Sequence, residues 1–243
     1  MSSSTAIGGV LRTWIEQTDD STALSHLEQR LAPVLSIIAG MVDLTGFFTL
    51  GNIFTAHITG NLVVAAAAAV RGGPVHLAQV LAIPVFMSAL AAVWLIARAS
   101  NYRGQTLARL LLLIQFLLLA AALIFSVVAK PSADPHSLVA GIAAMIAVCA
   151  MACQYALFRL AIPGAVSTAV MTGNLTNTVL SLMDLLSPNR PLMAVDKGQL
   201  KRSAKLLVGF LLGCIVAAAA ISILGDWAWS LPAVLAAAAI AIR

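Results

Sequence analysis

The chain has 243 residues, 61% of them hydrophobic and only 9% charged, with a mean hydropathy of +0.99. A water-soluble domain carries about 25% charged residues, so this composition excludes an ordinary soluble enzyme and points to an integral membrane protein. The formal charge of +5 lies in the segments between apolar runs, where lysine and arginine set membrane orientation; it is not the footprint of a nucleic-acid binder.

The first 30 residues are polar and mixed in charge (Arg12, Glu16, Asp19, Asp20, Glu28, Arg30). They lack the apolar core of a signal peptide and predict a polar cytoplasmic lead-in with a short amphipathic helix. The rest, 31–243, reads as one polytopic membrane domain. Six apolar runs have the length needed to cross a bilayer, about 20 residues: 32–50, 76–97, 107–129, 137–158, 203–224 and 227–242. The last is the shortest.

Between the first and second runs, and again between the fourth and fifth, stands a polar phrase that the chain uses twice. Residues 55–62 read T-A-H-I-T-G-N-L and residues 168–175 read T-A-V-M-T-G-N-L, identical at six of eight positions. Each phrase opens a segment (53–70 and 165–186) whose clean helical part (59–70 and 172–186) is short for a full crossing at about 1.5 Å per residue. A duplicated polar motif inside hydrophobic sequence is the pointer to an internally repeated transporter. The loop from Lys130 to His136 divides the copies, giving repeat one at 31–129 and repeat two at 137–243.

The cations orient the repeats. If both motif segments are re-entrant, twelve of the fourteen Lys and Arg fall on the face that holds the termini, leaving Arg71 and Lys130 opposite. If both cross fully, the division is ten to four. Cytoplasmic termini follow either way, and the first arrangement obeys the positive-inside rule better. The predicted fold is therefore all-α: about six transmembrane helices plus two T-G-N half-helices, in two repeats of opposite orientation.

Irregular backbone inside a bilayer survives only when packed in protein or lining a polar cavity. Thr59 and Thr172 are suited to cap the helices that follow, Gly60 and Gly173 permit close approach, and Asn61 and Asn174 add donors and acceptors. Two helix N-termini aimed at the membrane centre would favour an anionic or polar solute. The bland alternative is that these residues only brace two helix breaks.

Asp43, in A-G-M-V-D-L-T-G within the first run, is an acid inside a membrane span, a functional-site hypothesis by default. It is expected to take and release a proton, with His57 as a secondary candidate for a relay. The competing readings are a carboxylate that accepts bonds from the nearby broken backbone, and a structural histidine. Gln154 stands near the matching place in the second half, and Asn177 follows the second motif on its helix. Cys149, Cys153 and Cys214 all lie in apolar runs and read as packing residues. Gly209 and Gly213 form G-x-x-x-G, a close-packing pattern for another helix of this chain or for a homo-oligomer partner. No Walker loop, nucleophile elbow, paired carboxylates or metal-ligand spacing is present, so no enzyme activity, cofactor or metal is expected.

Taken together, G-M-V-D at 40–43 followed by I-T-G-N at 58–61, and Gln154 followed by M-T-G-N at 171–174, resemble the YoaK-like bacterial membrane proteins (domain of unknown function 1275), from about residue 30 onward. This chain departs from that pattern after Gln154, where Tyr155 stands in place of the usual Asn. The resemblance implies a protein of the bacterial inner membrane and supplies no substrate. The residues themselves favour a secondary transporter or channel for a small polar or anionic solute, with Asp43, Thr59, Gly60, Asn61, Gln154, Thr172, Gly173 and Asn174 along its path. The alternative is a non-transport assembly or partner protein that docks through the basic stretch 190–205.

Overall fold

The computed structural model describes residues 3–73, 75–162, 165–168, 170–186 and 197–242, with side chains from residue 24 onward except that of Lys197. Every regular element among them is helical. α1 spans Ser3–Thr49, α2 Gly60–Val70, α3 Leu77–Ser100, α4 Gly104–Ala129, α5 Leu138–Leu160, α6 Met171–Leu186, α7 Lys197–Leu224 and α8 Ser230–Ile240, with 3₁₀ turns at Pro131–Ala133 and Gly225–Trp229.

Among the described residues, five helical runs are long and apolar enough to cross a membrane: Leu24–Thr49, Leu77–Ser100, Gly104–Ala129, Leu138–Leu160 and the combined stretch Gly198–Ile240. The first four match the first four expected spans. The polar lead-in is helical and continuous with the first span, because nothing between Ser3 and Thr49 stops a helix except Pro33, which the helix absorbs. The final expected span, 227–242, begins as a 3₁₀ turn and leaves only the eleven residues of α8, about 16 Å of helix against a hydrocarbon core of about 30 Å.

α1 and α5 are the inner helices. Of their most apolar windows 67% and 61% is buried, against 17% for α3. α5 is alanine-rich where it is buried (Ala140, Ala143, Ala144, Ala147, Ala150), which lets α3 and α4 approach closely, as small residues do where no water drives association. Large apolar side chains such as Leu95, Leu117, Ile215 and Ile223 point outward, as a lipid-facing surface requires.

The packing is reciprocal. α1 lies against α7, and α5 against α3; α4 packs on α5, and α8 on α1; α2 sits on α3, and α6 on α7. At the α1–α7 crossing the backbones touch. A Cβ on Gly40 would collide with the Phe210 carbonyl, and one on Gly213 with the Ile37 carbonyl, while Gly209 faces the Pro33 carbonyl. Ser36 Oγ adds a bond to Leu206 O at 2.6 Å. The G-x-x-x-G pattern is thus spent inside the chain, on α1, and the dimer-partner reading of it falls away.

Contacts at the two ends of the bundle fix where the first motif segment begins and finishes and where the second begins. At one end Gly51, just past α1, meets Pro135 and His136. The His136 ring stacks on His76, just before α3, with centroids 3.8 Å apart, and Gln79 Nε2 reaches Gly51 O. The 3₁₀ turns join there too, through Ser132 Oγ and Asp226. At the other end Glu28 of α1 accepts a bond from Val166 N, next to Lys201 and Arg202 of α7. Both the entrance and the exit of the first motif segment (50–76) therefore lie at one end, and the start of the second lies with the start of α7 at the other.

Candidate functional site

Asp43 projects from α1 six residues before the helix ends. After Thr49 the chain turns at Gly51 and Asn52, both at positive φ, and folds back along α1 until Thr55, Ala56 and His57 reach the carboxylate. Oδ1 accepts from Thr55 N (2.8 Å), Ala56 N (2.7 Å) and His57 N (3.3 Å). Oδ2 lies 2.6 Å from His57 Nδ1. Three successive N–H groups converging on one oxygen form an anion-binding nest, and its anion is the protein's own Asp43. The carboxylate is 4% exposed, whereas the His57 side chain remains 34% exposed and meets Phe210 edge-on on its other flank.

Asn61 is fully buried and clamps its own loop. Its Oδ1 accepts from Phe54 N (2.8 Å) and its Nδ2 donates to Phe54 O (2.7 Å), so a residue with no sheet or helix partner gets both backbone groups paired. The second motif repeats the device at the same spacing of seven: Asn174 Nδ2 donates to Ser167 O at 3.0 Å. The glycines serve the same loops, with Gly60 lying against the Phe54 ring and Gly173 against Val170.

Other expectations for the motif change. Thr59 occupies the cap position of α2, but its hydroxyl makes no cap bond. Thr172 lies inside the first turn of α6, and both threonines are exposed. The N-terminus of α2 is not open to an anion: Gly60 N, Asn61 N and Leu62 N are bonded to the carbonyls of His57, Ile58 and Thr59. Nor do the half-helices form a packed pair among the described residues, since α2 rests on α3 and α6 on α7. At α2 the reason is tight 3₁₀-type turning before the helix, which uses the N–H groups that a cap or an anion would otherwise take.

Gln154, six residues before the end of α5, takes the place in the second half that Asp43 has in the first. Its Nε2 donates to Leu35 O of α1 (2.9 Å) and approaches Thr168 Oγ1 (3.5 Å), the counterpart of Thr55. Its Oε1 accepts from Gln115 Nε2 of α4 (2.8 Å). Gln115 is wholly buried, and its Oε1 has no partner among the described residues. The next residue, Tyr155, donates to Ala56 O at 2.9 Å, tying α5 to the Asp43 nest. Gln115 is the site residue that sequence reading passes over, and Tyr155, noted there only as a departure from the family pattern, is a further member of the site. The signal for Gln115 was there: a lone amide in L-L-L-L-I-Q-F-L-L-L. Asn177 is half-buried one turn along α6. No group of three or more metal-ligating side chains occurs among the described residues.

These features define a polytopic helical membrane protein whose inner helices each carry a buried polar side chain beside a broken, motif-bearing segment. The chain belongs to the family described as Protein of unknown function (DUF1275), whose profile matches residues 31–242. No curated protein and no solved structure matches it significantly.

Proposed function

We propose that this protein is a secondary transporter or channel for a small polar solute in the bacterial inner membrane, with the Asp43–His57 pair as its proton-responsive element. One observation carries the reading: an acid within a membrane span is bonded to an imidazole that still has a third of its surface open. Ionisable pairs at membrane depth are costly and mark ion or proton pathways, and imidazole changes charge in the physiological range. In this reading His57 gains and loses the proton, and Asp43 and its nest hold the ring in place. The chemistry is movement of a solute rather than catalysis.

Topology supports the reading. The two ends of segment 50–76 lie together, so we infer that the first motif is re-entrant. The reciprocal packing and the matched asparagine clamps favour two repeats of opposite orientation, with cytoplasmic termini and the 130–137 loop outside. Six crossings then require 225–240 to turn back from α7, and α8, packed on α4 and α1, would reach part-way. The anionic preference loses its basis at α2, whose terminal N–H groups are bonded; a polar solute remains.

The test is proton movement in vesicles that contain the purified protein and a pH-sensitive dye, challenged with a panel of small polar solutes. Asp43→Asn and His57→Gln are each expected to abolish solute-dependent proton movement while the protein still purifies folded. Equal movement in wild type and both variants would contradict the assignment. A second reading, that the motifs brace a membrane assembly protein, is favoured by the complete internal use of Asn61. It predicts a co-purifying partner lost on neutralising Lys201, Arg202 and Lys205. Arg190 and the side chain of Lys197, the remainder of that expected basic stretch, lie outside the described residues.

A further inference from the structure

At the end of the bundle where α1 and α7 begin, a cavity of about 180 Å³ opens between the two helices. At about 30 Å³ per water it has room for a tetrahedral anion with part of its water shell. Its walls are Glu28, Gln29, Ala32 and Pro33 from α1, Val166 before the second motif, and Gly198, Lys201, Arg202, Lys205 and Leu206 from α7. Three cations thus face one carboxylate, and that carboxylate already accepts a bond from Val166 N at 3.0 Å.

The arrangement of the cations is unfavourable by itself. Lys201 and Lys205 are i,i+4 on one helix face, a like-charge pairing that is destabilising. An anion seated between Lys201 and Lys205 would relieve that repulsion. Beyond the lysines, the same exposed ridge of α7 turns apolar: Val208, Leu212 and Ile215 follow Lys205 at three-, seven- and ten-residue steps, each about half exposed or more. A cationic site continued by an apolar ridge in the direction of the membrane interior is the profile of a phospholipid, with its phosphate at the lysines and its chains along the ridge. Basic pockets between membrane helices hold such headgroups.

We propose that this cavity binds the phosphate of an anionic phospholipid from the leaflet at that face. The site is independent of the transport reading, since it shares no residue with the Asp43 nest. The test is native mass spectrometry of the full, delipidated chain titrated with phosphatidylglycerol, phosphatidylcholine or inorganic phosphate. Phosphatidylglycerol is expected to bind in preference to phosphatidylcholine. The variant Lys201→Gln/Lys205→Gln, altered only at exposed positions, should bind it roughly thirty-fold more weakly. Arg71→Gln, an exposed cation at the opposite end, should leave binding unchanged. Inorganic phosphate that competes at millimolar concentration and is lost in the double variant would keep the anion site but overturn the lipid as its source. Equal lipid binding by wild type and double variant, or no preference for the anionic lipid, would overturn the proposal.

Discussion

Asp43 and Asn61 do the same work on adjacent stretches of backbone. Between Thr49 and Gly60 the chain has no regular hydrogen bonding, and in a membrane each unpaired N–H or C=O is costly. Asp43 pairs three of those groups and Asn61 pairs two more. Removing the clamp with Asn61→Ala leaves Phe54 N and O unsatisfied, an expected loss of about 1–3 kcal/mol measurable as a lower unfolding midpoint in detergent; an unchanged midpoint would mean water replaces the amide without cost. The rings of His76 and His136, stacked at the Gly51 end of the bundle, give a second prediction. Desolvation, and then the neighbouring His136, hold His76 below its ordinary value of 6.5. The unfolded chain therefore binds more protons at this site, so its contribution is fully present above pH 6.5 and is lost as pH falls through the lower folded value. Unfolding midpoints compared between wild type and His76→Asn should converge as pH drops from 8 to 5; a constant difference would show that the stack does not respond to protonation.

Among the elements, the α1–α7 crossing depends on what glycine lacks. Gly40 and Gly213 each face a carbonyl of the opposing helix so closely that any side chain must push the helices apart. Gly213→Leu is expected to cost about 1–3 kcal/mol or more through overpacking, and Gly72→Leu, whose Cβ meets nothing within 4 Å, should cost less despite its positive φ. The order of the two midpoints checks this, and the reverse order would place the helices further apart than described. The sequence made the crossing legible as a pattern but not its partner, because G-x-x-x-G reads the same whether the facing helix belongs to this chain or to another. Four long spans were likewise legible from length and hydropathy alone. The last was not: α8 is apolar throughout, and only the 3₁₀ turn at Gly225–Trp229 separates it from α7. Asp43 and both asparagines stood out as polar residues in oil. His57 was legible as a partner for Asp43, but which backbone groups Asp43 and the asparagines hold was not, since every residue carries them, and nothing in T-G-N tells a brace from a solute contact.

At the scale of the whole molecule, the halves are interlocked rather than side by side. The first helix of each packs against the third helix of the other, so neither half has a complete core without its partner. Asp43 and Gln154 each stand six residues before the end of an inner helix, and α5 is tied to the first break by Tyr155 and to α1 by the bond from Gln154 to the Leu35 carbonyl. A solute path between opposite-facing breaks requires that the motif segments turn back and do not cross, and that requirement is the centre of the account. It is tested most directly by cysteine accessibility at Val75 and Tyr102, both exposed loop positions, in a chain from which Cys149, Cys153 and Cys214 have been removed. These sites are better than the neighbouring Gly72 and Gly104, whose positive φ would strain a cysteine. The account predicts that Val75→Cys reacts with an impermeant thiol reagent from outside the cell and Tyr102→Cys only after the membrane is opened. Labelling of Tyr102→Cys from outside and of Val75→Cys only from inside would mean full crossings, and would contradict it.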